Sequence, residues 1–100
     1  MEWFGVRCLF ESAPSVYEER VTIWQAGSFE QAIELAETEA NDYAATVESR
    51  YLGLAQGYCM GEEPEAGAEV FSLMRDSDLA PGEYLDAFFD TGSERQGHMD

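Results

Sequence analysis

The run Trp3-Phe4-Gly5-Val6-Arg7-Cys8-Leu9-Phe10, then Ser12-Ala13-Pro14-Ser15, then Tyr17-Glu18-Glu19-Arg20-Val21-Thr22-Ile23-Trp24, decides the fold. Residues 2–11 alternate, with the even positions Phe4, Val6, Cys8 and Phe10 all apolar. That period of two predicts a strand with one core face. The Ser-Ala-Pro-Ser segment carries turn chemistry. Residues 17–26 alternate again, so the two strands form an antiparallel hairpin. In the second strand Tyr17, Val21 and Ile23 share one face and are expected to point into the core. Glu18, Arg20, Thr22 and Trp24 share the other.

Downstream of the hairpin, Ala26-Gly27-Ser28 breaks the pattern and a helix follows. Ser28 with Gln31 three residues on matches a capping box. Phe29, Ile33, Ala36, Ala40, Tyr43, Ala44 and Val47 recur at helical spacing and predict a core-facing stripe. Glu30, Glu34, Glu37 and Asn41 are expected on the solvent side. A third strand is predicted over 50–60, with Leu52, Leu54, Tyr58 and Met60 inward. After an acidic, Gly/Pro-containing loop (61–67), residues 68–75 read as a fourth, central strand. Ser77, Asp78 and Pro81 suit the start of a short second helix through Phe89, burying Tyr84, Leu85, Phe88 and Phe89. Gly92 suits its end.

The order is therefore ββαββα. The expected fold is an α+β two-layer sandwich: a four-stranded antiparallel sheet with two helices on one face. Residues 1–92 make a single domain and 93–100 a flexible polar tail that includes His98.

Composition limits the function. Hydrophobic residues make up 45% of the 100, enough for a packed core and too many for intrinsic disorder. Twenty-one Asp plus Glu oppose five basic residues, a formal net charge of -16, and all five are arginines. Phosphate backbones demand a basic stripe, so direct nucleic-acid binding is not expected. Anionic membrane surfaces would repel the chain, and no stretch has the length of a membrane span. A basic protein partner would be attracted and steered. The N-terminus lacks the pattern of a signal peptide. Cys8 and Cys59 form no C-x-x-C and, with one histidine, complete no zinc set, so free buried thiols in a reducing cytoplasm are expected.

In combination, several segments resemble the bacterial family known as domain of unknown function 4288. They are Trp3-Phe4, Tyr17-Glu18-Glu19-Arg20, Ser28-Phe-Glu-Gln-Ala-Ile33, Tyr51-Leu-Gly-Leu-Ala-Gln56, Glu69-Val-Phe-Ser-Leu-Met-Arg-Asp-Ser-Asp78, Tyr84-Leu-Asp86 and Phe88-Phe-Asp-Thr-Gly92. The resemblance covers nearly the whole chain. It implies a bacterial cytoplasmic protein of about one domain, and it carries over no catalytic or binding residue.

Two constellations bear on chemistry. Glu19 falls among residues expected to be apolar and inward, where a carboxylate needs a partner. Alternation puts Arg7 and Arg20 on the opposite face, leaving Arg50 or Arg75. A ligand site built on Tyr17, Glu19, Arg50 and Arg75, with Arg20 nearby, is the alternative functional reading. Asp76 and Asp78, with Glu62, Glu63 and Glu65, do not match a calcium loop, and helix capping accounts for them more simply. No metal and no cofactor is expected. No nucleophile elbow, phosphate loop or dinucleotide fingerprint occurs, so no enzyme activity is expected.

The face opposite the helices is the expected contact surface. By alternation it carries Trp3, Arg7, Leu9, Arg20, Trp24 and Tyr51, smoothed by Gly5, Gly53 and Gly57. Tryptophan and arginine are enriched at interfaces. Nothing else in the chain is expected to cover this face. The expectation is a non-enzymatic interaction module, of inhibitor or immunity type against a basic protein, with self-association into a homodimer anchored by Trp3 and Trp24.

Overall fold

Strands β1 (Glu2–Ala13) and β2 (Val16–Ala26) form the expected hairpin, and Ser15 adopts a left-handed φ of 65° in its turn. In this computed structural model residues 1–96 are described, so the expectations for the last residues, His98 among them, lie outside the described residues. The chain is α+β, with a three-stranded antiparallel sheet of order β2-β1-β3 and two helices. Strand β3 (Arg50–Cys59) pairs with the other side of β1.

The hairpin register differs from the expectation in one decisive way. Phe4 lies opposite Trp24, Val6 opposite Thr22, Cys8 opposite Arg20 and Phe10 opposite Glu18. Directly opposed residues point to the same side of a sheet. Trp24 and Arg20 therefore lie on the side of the core residues Phe4, Val6, Cys8 and Phe10. Tyr17, Glu19, Val21 and Ile23 lie on the outer side, and three of these (Tyr17, Val21 and Ile23) are exposed apolar residues. The alternation in β2 is real, but its phase against β1 is set by the turn and by the irregularity between Glu11 and Ala13.

Strand β3 brings Tyr51, Ala55, Gly57 and Cys59 to the core side, opposite Phe10, Cys8, Val6 and Phe4. Its register shifts between Cys8 and Phe10, where Gly53 has a φ of 76°. Leu54, expected inward, is instead exposed, whereas Met60 is buried as expected.

Helix α1 (Phe29–Thr46) lies across all three strands. Half of the expected capping box forms: Ser28 Oγ accepts from the Gln31 N–H at 3.1 Å, while Gln31 Oε1 accepts not from Ser28 but from the Gly27 N–H before it, at 2.5 Å. Its buried stripe is Ala32, Ala36, Ala40 and Ala44, one alanine per turn. Short side chains let the helix settle close to Phe4, Val6, Cys8 and Phe10. Ile33 and Tyr43 flank the stripe, while Phe29 and Val47 are exposed. Gly57 fits beneath the Phe29 ring, whose nearest atom would lie 2.5 Å from a β-carbon there.

The expected fourth strand does not form. Residues 68–75 are irregular, and part of this segment lies on the outer face of the sheet. The Val70 main chain rests against Gly5 and the Phe71 ring packs on Tyr58, so the pair caps the sheet face and does not extend a ladder. The second helix is also shorter than expected: α2 (Pro81–Tyr84) runs into a π-helical turn, Leu85–Phe89. Among the described elements these two touch only each other, so α1 alone covers the inner face. Phe88 and Phe89 are exposed, and Tyr84 packs on Phe88 with ring centroids 5.1 Å apart. No helix among the described residues is long and apolar enough to cross a membrane.

Candidate functional site

The outer face of the sheet centres on Arg7. Its Nη1 lies 3.3 Å from Glu19 Oε1, and its Nη2 donates to Gln56 Oε1. Its guanidinium also sits over the Phe71 ring, 5.3 Å from the centroid. Glu19 is thus partnered by the arginine that alternation alone had set on the other face, because Leu9 and Glu19 are directly opposed. The carboxylate is exposed and not buried among apolar side chains.

Beside this ion pair is a cleft of about 200 Å³ lined by Arg7, Cys8, Leu9, Glu19, Leu54, Ala55 and Gln56. Leu54 in its lining and Tyr17 on β2 are each about 60% exposed, and Val21 and Ile23 are exposed on the same face of β2. The other end of the outer face is covered by the chain itself. The Val70 carbonyl lies against Gly5, and Phe71 packs on Tyr58 with centroids 6.3 Å apart. The Tyr58 hydroxyl donates to Glu69, and that bond holds its proton above the ordinary tyrosine range.

A second shallow cleft of about 190 Å³ opens at the strand ends, lined by Met1, Glu2, Trp3, Gln25, Gly61, Glu62 and Glu63. Three carboxylates surround an indole there, and no basic side chain lines it.

The residues expected at the interface divide between two faces. Trp3, Arg7 and Leu9 are on the outer face. Arg20, Trp24 and Tyr51 are on the inner face, in a polar layer under α1. Arg20 forks onto Glu39 at 3.0 and 3.3 Å and stacks on Tyr43, 3.6 Å from its centroid. The Tyr43 hydroxyl donates to Glu18 at 2.6 Å, which raises its pKa. Tyr51 donates to Glu37 at 2.5 Å, and burial together with that bond raises its pKa far above the usual value. Glu37, expected in solvent, is therefore half-buried. Trp24 Nε1 donates to Thr22 at 2.7 Å.

Of the alternative ligand set, Tyr17 and Arg50 flank Glu11 from the two neighbouring strands, and Glu19 is two residues from Tyr17. Arg50 is bound to Glu11 at 2.8 Å. Arg75 is elsewhere, donating to the Tyr84 hydroxyl at 2.7 Å and lying over Phe88. Among the described residues no group of three His, Cys, Asp or Glu side chains is placed to hold a metal ion.

Val21, Ile23 and Leu54, which alternation places in the core, are exposed on the outer face instead. Comparison with family models, curated proteins and solved structures found no match.

Proposed function

We propose that this chain is a non-enzymatic protein-interaction module whose outer sheet face holds a basic protein, in the manner of an inhibitor or immunity protein. The observation that carries this reading is the uncovered part of that face, where Tyr17, Val21, Ile23 and Leu54 surround the Arg7–Glu19 pair. Apolar anchors around a charged centre suit a protein contact. The cleft of Trp3, Glu2, Glu62 and Glu63 suits a guanidinium or ammonium group by carboxylate pairing and by stacking on the indole. The net charge of -16 steers such a partner from a distance.

Two observations weigh against the small-molecule alternative: Arg75 lies with Tyr84 and Phe88, apart from Tyr17 and Arg50 beside Glu11, and the cleft that Glu19 lines is small. The Arg7 cleft, about 200 Å³, is smaller than the roughly 300–1,000 Å³ of ligand pockets and admits one inserted side chain. A bacterial, cytoplasmic setting belongs to the same proposal.

Affinity capture from an extract of the source cells tests it. The baits are wild type, the outer-face variants Trp3→Ala and Leu54→Glu, and Glu34→Gln on the exposed side of α1. The expected result is one basic protein held by wild type and Glu34→Gln and lost by both outer-face variants. Equal capture by all four baits, or none at low and high salt, would overturn the reading.

A further inference from the structure

We infer that two copies of this chain join edge to edge through β2, antiparallel, with Val21 on the two-fold axis. The sheet has two edges, and they are unlike. Strand β3 is interrupted by its register shift and by Gly53 at φ 76°, devices that blunt an edge. Strand β2 runs eleven residues from Val16 to Ala26 with no proline, lysine or internal glycine. Among the described residues no segment pairs with its outer side.

The hydrogen-bonding phase of that edge follows from one bond. The Met60 N–H donates to the Trp3 carbonyl at 2.9 Å, so odd-numbered β1 residues direct their backbone groups to β3. Even-numbered ones then face β2, and their partners are the even residues of β2. The odd residues Tyr17, Glu19, Val21, Ile23 and Gln25 therefore present N–H and C=O groups at the free edge. That is a ready template for another strand.

Charge selects the register. The first half of β2 holds Glu18, Glu19 and Arg20, and the half from Val21 to Ala26 holds no charge. A two-fold at Glu19 or at Arg20 would set like charges directly opposite, which is unfavourable. A two-fold at Val21 overlaps all eleven residues. It places Glu19 against Ile23, Arg20 against Thr22 and Glu18 against Trp24 of the second copy. Each charged half then meets an uncharged one. The product is one six-stranded sheet with both α1 helices on one side and both Arg7 clefts on the other.

This inference stands apart from the basic-partner reading, since neither Trp3 nor Leu54 is on the β2 edge. Light scattering at micromolar concentration tests it on wild type and on Val21→Pro. The Val21 N–H makes no bond within the sheet, so proline there removes the central intermolecular donor and leaves the internal ladder intact. The expected masses are twice the 11.2 kDa chain for wild type, more completely at high salt as repulsion is screened, and one chain for a folded Val21→Pro. A wild-type monomer at both salts, or a dimer that Val21→Pro leaves intact, overturns it. Should Val21→Pro not fold, Val21→Cys in a Cys59→Ser background decides. A disulfide or short maleimide cross-link between copies supports the register, and its absence, with Tyr17→Cys as comparison, overturns it.

Discussion

The main-chain carbonyl of Val70 occupies the space that a β-carbon on Gly5 would need. Gly5 is buried in the middle of the sheet, so the outer face is recessed where the 68–71 segment docks. Gly5→Ala must displace backbone and not a flexible side chain. The expected outcome is a loss of about 1–3 kcal/mol and release of the segment from the sheet. Urea denaturation gives the first, and faster amide exchange over residues 68–71 the second. Unchanged exchange there would show that the carbonyl does not rest on the sheet.

Arg20 ties β2 to α1. It is forked onto Glu39 and stacked on Tyr43, with its side chain only 25% exposed. Arg20→Met keeps much of the apolar stem and removes the charge. It is expected to cost about 1–2 kcal/mol, the sum of a partly screened ion pair and a cation–π contact. Arg50 is paired with Glu11, but its side chain is 70% exposed, and Arg50→Met is expected to leave the urea midpoint unmoved. Equal midpoint shifts in the two variants would contradict the assignment.

These two sites also show how far the sequence could be read. Period-two alternation located β1, β2 and β3 within a few residues, and Ser28 with Gln31 located the start of α1. What alternation cannot give is the phase of one strand against another. Both faces of β2 carry apolar residues, so only the turn around Ser15 decides that Trp24 lies with Phe4. That choice exchanged Arg20 and Trp24 for Tyr17, Val21 and Ile23 on the outer face, and the register of β3 against β1 exchanged Tyr51 for Leu54. Residues 68–75 looked like a doubly covered strand because Val70 and Phe71 are both apolar. The same pair instead lies on the sheet face, helped by Gly5 and Tyr58.

The two thiols are expected to react very differently. Cys8 is buried beneath α1, and burial is the chief cause raising its pKa, so little thiolate is present. Cys59 is exposed at the end of β3 and not buried as its sequence context suggested. A thiol reagent at neutral pH should label Cys59 promptly and Cys8 on the order of 100-fold more slowly, because labelling of Cys8 waits on opening of the core. Comparable rates, read by mass spectrometry, would show that α1 does not cover Cys8.

Tyr51 makes stability fall in alkali. Its hydroxyl is half-buried under α1 and donates to Glu37, so a phenolate there would be desolvated and would face a carboxylate. Both effects hold the proton on in the folded chain, whereas an unfolded tyrosine ionises near pH 10. The folded value is thus the raised one. Its stabilising contribution is complete below pH 10 and is lost as pH rises through the folded value, since the unfolded chain sheds its proton first. One proton sets a limit of about 1.4 kcal/mol lost per pH unit above 10. Tyr43, raised by its bond to Glu18, acts in the same direction. Tyr51→Phe should lower stability at pH 7 by about 1–2 kcal/mol, because Glu37 loses its donor. The same substitution should flatten the alkaline limb. Urea midpoints measured from pH 7 to 11 on both proteins read the difference, and parallel curves above pH 10 would place the lost proton elsewhere.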